Sequence, residues 1–281
     1  MLNDITGISK PLEKLIEEVS KSIGVLYEPT RIRRKTKAEN DAELIKLEGE
    51  IERNELLKRA AHRIGHTEAR RQANIDNTVA SSVEHLSSSV SDLPVDPDWM
   101  SRYFEGCQDV SDESMQEVWA KVLAREISEP GHFSTLTLSI LKNMTKKDAQ
   151  LFERHASLAW SMDRYFFIPV DIDEAMPVSW WDRSLSHSQT LHMDTLGLLN
   201  VRDDLRAYVT VGGTFNYFDH VCYADRDSIG KMNIFSFSKV GEELMRICNR
   251  DYSDAYFEKS LEFMEKKLDV RFLSNLDEAN F

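Results

Sequence analysis

Between Thr30 and Ser89 the chain contains no proline, and glycine occurs only at Gly49 and Gly65. Ala, Glu, Lys, Arg and Leu are abundant there, so a stretch without turn residues predicts one long helical arm. Cysteine is scarce: Cys107, Cys222 and Cys248 are far apart and form no CxxC pair, which gives no support to a zinc motif or a disulfide framework. A reducing, cytoplasmic setting follows as the expectation. Long apolar runs are missing too. Nothing approaches the roughly 18 consecutive apolar residues of a membrane span, and the acidic amino terminus (Asp4, Glu13, Glu17, Glu18) is unlike a signal peptide. GxSxG, Walker A and GxGxxG patterns are all absent. No cofactor is expected, and the chain leans away from catalysis, with a hidden hydrolase as the weakest of three readings.

What is present is charge and helix punctuation. Charged residues make up 30% of the 281 residues and the net charge is -13, so the molecule as a whole should repel nucleic acid and anionic lipid except where a basic patch dominates. Residues 9–26 place Leu12, Leu15, Ile16, Val19 and Ile23 at helical spacing, with Ser9 as a cap and Pro11 in the first turn. Glu28-Pro29 breaks that helix. Along the arm the apolar stripe runs through Leu44, Leu47 and Ile51, then Leu57, Ala61 and Ile64, then Ile75, Val79, Val83 and Leu86. It shifts phase more than once, which is too irregular for a heptad coiled coil. A serine-rich linker follows.

In the middle of the chain Asp96-Pro97 opens a helix with Trp99, Met100, Tyr103 and Phe104. Ser111 is the expected cap of the next, whose face of Met115, Val118, Trp119, Val122, Leu123 and Ile127 ends at Pro130-Gly131. Ser134 and Thr145 read as further caps, and a last helix is expected from Asp148 to about Phe167. The carboxyl-terminal third changes period. A helix from Leu185 to Leu196 precedes a hairpin, Ala207–Val211 with Thr214–Phe218, around Gly212-Gly213. A strand from Met232 to Phe237 and helices opened by Ser238 and Ser253 complete it. The fold class is therefore expected to be mainly α with a small α+β carboxyl-terminal part. Its three expected domains are an arm (1–90), a compact helical domain (91–168) and a winged-helix-like domain (169–281).

Several constellations could carry chemistry. His62 and His66 share a helix face in HExxH fashion, but Arg63 stands where the catalytic Glu would be, and Arg59, Arg63 and Arg70 oppose a cation, so a solvated face is expected. His187 and His192 lack a visible third metal ligand. Asp171, Asp173 and Glu174 form an acidic loop without a calcium-loop register, and Trp180-Trp181 reads as packing. No metal site is expected. The one dense basic run is Arg31, Arg33, Arg34, Lys35 and Lys37, a candidate contact for phosphates of nucleic acid, for an anionic membrane surface or for a protein partner. The acidic residues that follow it, from Glu39 to Glu52, leave open salt bridging along the helix or between arms of neighbouring subunits.

The segments GVLYEPTRIRRKTKAEN, RRQANIDNTV and VDPDWMSRYFEGCQDVSDESMQEVWAKVLAREISEPGHFSTLTLSILKNMTKKDAQLF resemble a bacterial domain-of-unknown-function family. That family is similar to the Abi-alpha group, whose name links it to abortive infection. The resemblance spans roughly residues 5–155, with a looser match at Leu196–Leu199 and Lys239–Leu244, and it brings no catalytic residues. It implies a non-enzymatic anti-phage defence or stress component that forms a homo-oligomer and engages a partner through its arm. The alternative is a winged-helix DNA-binding regulator, whose reading helix near Leu185 to Leu196 carries almost no Arg or Lys.

Overall fold

The computed structural model describes residues 9–23, 55–162, 165–170, 185–202, 206–208, 214–224, 231–268 and 272–274. The basic run Arg31 to Lys37, the acidic loop Asp171 to Glu174, Trp180-Trp181 and Gly212-Gly213 lie outside the described residues. The protein is mainly helical, with an antiparallel sheet in its carboxyl-terminal part. Packing divides the chain into two units, Met1–Lys146 and Lys147–Phe281.

The first unit holds helices α1 (Lys10–Ile23), α2 (Glu55–Ser82), α3 (Pro97–Cys107), α4 (Glu113–Ser128) and α5 (Thr135–Asn143), with a 3-10 turn at Val83–His85 after α2. Helix starts follow from side chains that satisfy the free amides of the first turn. Asp96 accepts from the Asp98 and Trp99 amides at 2.7 and 3.2 Å. Asp112, not Ser111, caps α4, taking the Ser114 and Met115 amides. A carboxylate outcompetes the neighbouring hydroxyl because it also complements the positive helix end. Ser134 caps α5 as expected.

Helix α4 is the axis of this unit. Trp119, Val122, Leu123 and Ile127 are fully buried on it, each such side chain stabilising by about 1.5–3 kcal/mol relative to exposure. Trp119 lies so close to Gly106 of α3 that a methyl group there would stand 2.4 Å from the indole ring, so only glycine fits. Tyr103 donates to the Trp119 carbonyl at 2.9 Å and Trp99 donates through its indole nitrogen to the Phe133 carbonyl at 2.9 Å. The Trp119 indole N–H, by contrast, is buried without an acceptor. Helix α1 packs on α3 and α4 through Leu15 and Val19, and Lys14 donates to the Ser91 and Leu93 carbonyls at 2.7 and 2.8 Å. The segment expected as a linker is thereby tied down at its end.

The second unit comprises α6 (Lys146–Ser157), β1 (Trp160–Met162), β2 (Tyr165–Val170), α7 (His187–Thr195), β3 (Leu199–Asn200), β4 (Arg206–Tyr208), β5 (Thr214–Tyr217), β6 (His220–Ala224), β7 (Lys231–Phe237), α8 (Lys239–Met245), α9 (Asp254–Leu268) and β8 (Phe272–Ser274). The strands form one antiparallel sheet in the order β3-β7-β2-β1-β5-β6-β8, and β4 also pairs with β7. Two expectations are corrected here. The helix expected to run to Phe167 stops at Ser157, because Trp160–Met162 and the aromatic run Tyr165–Val170 find ladder partners on β5 and β7. Strand partners distant in sequence override a local helical spacing. The expected hairpin across Gly212-Gly213 is likewise replaced: β4 pairs with β7, while β5 pairs with β1 and β6. The tight turn falls at Phe218-Asp219, between the paired residues Tyr217 and His220. Phe218 holds a φ of 51° there, a region that glycine favours.

Phe218 is kept in that conformation by contacts on its ring: the Arg250 guanidinium lies 4.5 Å from the centroid, and Tyr217 and Tyr252 meet it edge-on. Arg250 belongs in turn to a set of donors that closes the carboxyl end of α6. It donates to the Ala156 and Ala159 carbonyls at 2.9 and 3.0 Å. Tyr217 donates to the Ser157 carbonyl at 2.9 Å and Tyr256 to the Leu158 carbonyl at 2.7 Å. The last carbonyls of a helix have no partner within it, so this end is satisfied from outside. A cation also suits the negative end of the helix dipole. Burial pushes the Tyr217 hydroxyl up to about 12, so it stays protonated and a donor.

Candidate interaction surface

Helix α2 has two unlike halves. From Asn74 onward it packs against α4 and α3, burying Asn74, Asp76, Thr78, Val79 and Ser82. Over residues 55–73, the half that precedes Asn74, not one residue is buried. Leu56, Leu57 and Ile64 are 67%, 56% and 54% exposed on this bare half, and they share the surface with Lys58, Arg59 and Arg63. Good helix formers keep the backbone helical there, and Arg59 adds a bond from its Nε to the Glu55 carbonyl at 3.2 Å.

The packed half is fixed by a buried polar network. Asn74 donates through its amide nitrogen to the Gln108 carbonyl at 2.8 Å and to the Ser111 hydroxyl at 3.1 Å. Gln116 of α4 donates to the Asn74 side-chain oxygen at 3.2 Å and to the Val110 carbonyl at 2.8 Å. A buried amide satisfied at both ends, as Asn74 is, holds one register, since a slip would leave it unpaired. Where the bare half meets the packed one, Arg71 grips both carboxylate oxygens of Asp109 at 3.0 Å and Arg70 reaches the same group at 2.9 Å. The Arg71 hydrogen bonds hold the Asp109 carboxyl below the usual carboxylate range. Burial pushes the Asp76 carboxyl the other way, against a bond accepted from Gln72. Beyond α2, His85 of the 3-10 turn pairs with Glu117.

Other sequence candidates do not converge on a second site. His62 and His66 are exposed on the bare half. His192 lies 2.7 Å from Asp148 and joins α7 to α6, while His187 is exposed at the start of α7. Among the described residues no group of three or more His, Cys, Asp or Glu is placed to hold a metal ion, and no helix is long and apolar enough to cross a membrane. Cys107 and Cys222 are buried, and burial pushes the Cys107 thiol up, away from reactivity.

Leu57 and Ile64 belonged to the apolar stripe read from the sequence, but Leu56 did not. Asn74 and Gln116 were missed altogether. The only signal for them is a polar residue beside an apolar stripe, which surface positions show equally. A family model with the description Protein of unknown function (DUF2806) matches residues 58–261. No curated protein and no solved structure matches the chain.

Proposed function

The chain belongs to that family, and from its geometry we propose that it is a binding and assembly component that engages a partner through the bare half of α2. The observation that carries this is the stretch 55–73, helical without a buried residue and with three large apolar side chains exposed. Helices of this length draw most of their stability from packing, so a face of this kind is stabilised when a partner covers it. The abortive-infection-like defence role is the reading the sequence resemblance favours, and a binding component without a reaction of its own fits it. Arg31, Arg33, Arg34, Lys35 and Lys37 are proposed, from the sequence, as the contact for an anionic partner.

The winged-helix DNA-binding alternative has less support. Helix α7, His187–Thr195, carries no Arg or Lys, and groove readers rely on such side chains for base and phosphate contacts. The test is phage challenge of bacterial cells expressing the full chain or its Leu57→Glu, Ile64→Glu double variant. Both side chains are exposed, so the variant should melt like the parent and lose protection. A variant that protects as well as the parent overturns the proposal, as does a parent that gives no protection.

A further inference from the structure

The bare half of α2 is not only apolar; its charge is mostly of one sign. Lys58, Arg59 and Arg63 stand among Leu56, Leu57 and Ile64, and Arg70 and Arg71, already held by Asp109, follow, against Glu55 and Glu68 as the acids of the stretch. Two such faces laid against each other would bring like charges together, which costs stability at close range. An occupant must therefore be acidic and carry its own apolar stripe. The chain supplies such a segment. Residues 39–54 contain six carboxylates against two bases, Lys46 and Arg53, and place Leu44, Leu47 and Ile51 at helical spacing.

That segment adjoins α2 directly, and its one glycine, Gly49, is the point at which the chain could reverse. A reversal there would lay residues 39–48 along only about 15 Å of helix and stop short of Arg63 and Ile64, whereas the same segment of another molecule meets no such limit. Resting on the reading that the bare half of α2 is a docking surface, we infer that its occupant is a second copy of this chain. The two copies run antiparallel, the acidic segment of each covering the basic, apolar face of the other. One two-fold axis makes both contacts identical.

Sedimentation velocity on charge-reversed full-length variants tests this. The parent should run as two chains at micromolar concentration and shift toward one chain at high salt, because exposed charge pairs are screened. Lys58→Glu, Arg59→Glu, Arg63→Glu should run as a single chain, and so should Glu43→Lys, Glu48→Lys, Glu52→Lys. Mixed in equal amounts, the two variants should recover the two-chain species, since each then presents what the other lacks. That recovery also shows that both variants are folded. A parent that stays a single chain, or a mixture that fails to pair, overturns the inference. Phage protection lost in the Leu57→Glu, Ile64→Glu variant of a single-chain parent would leave the docking surface standing with a different occupant. Pairing without any effect on protection would sink the functional proposal alone.

Discussion

The two stretches of α2 share one helix but not one composition: residues 55–73 are rich in Ala and Arg, residues 74–82 in small polar side chains, and the second buries five residues where the first buries none. The difference teaches that helix formation and helix anchoring are separate achievements. Ala, Arg and Glu suffice for the first, while the second needs α4 opposite, with Gln116 and its apolar face in register with Asn74 and Val79. Only the anchored half should therefore respond to damage in the core, and only the bare half should respond to a partner.

The largest effect expected is that of Trp119→Ala, which removes the side chain against which Gly106 is fitted. Chemical denaturation should show a loss of about 3–5 kcal/mol in the first unit, with hydrogen exchange accelerating over residues 74–82. A melting temperature unchanged from the parent would mean that the anchored half is held by something other than the α4 core.

A paired substitution sharpens the contrast within α2 itself. Val79→Ala should cost about 2 kcal/mol, from lost transfer free energy and a residual cavity. Ile64→Ala should stay within about 0.5 kcal/mol, as surface changes do. Equal losses at the two positions, measured by denaturant titration of the full chain, would erase the distinction between the halves.

The smallest effect lies at the junction. Asp109→Asn weakens the grip of Arg70 and Arg71 and should cost about 0.2–1 kcal/mol, the range of exposed ion pairs. Because the folded Asp109 carboxyl titrates below its unfolded value of roughly 3.9, its stabilisation is complete above that pH and is lost as pH falls through the folded value. The parent and variant should thus differ at neutral pH and converge in acid. A difference that grows as pH falls would show that Asp109 is not held by the arginines.

Much of the helical part was legible because its signals are local. Asp96-Pro97, Ser134 and Ser238 all act as caps where the sequence placed them, since a cap depends on the two or three residues that follow it. The stretch from Leu158 to Phe167 was misread for the opposite reason. Its Leu158, Met162 and Tyr165 fit a helical period, and only β5 and β7, distant in sequence, turn it into strands. The Phe218-Asp219 turn has no glycine to announce it, and the ring contacts that hold Phe218 come from Arg250 and Tyr252. At the candidate surface the apolar stripe was visible, but nothing local separates an exposed Ile64 from a buried Val79.

The donors that close the end of α6 come from far along the chain. Tyr217 lies 60 residues from its acceptor, Arg250 lies 94 and 91 from its two, and Tyr256 lies 98 from its own. During synthesis α6 is made before any of them exists, so until then the carbonyls they donate to are left to water. The helices of the first unit pack on one another through residues up to 143 and can do so while the ribosome is still translating. The second unit must wait for almost the whole chain, and its many distant pairings make it the slower of the two to fold. A nascent chain truncated between Ser157 and Tyr217 would carry the helices of the first unit joined to a helix whose carboxyl end lacks all three of its distant donors.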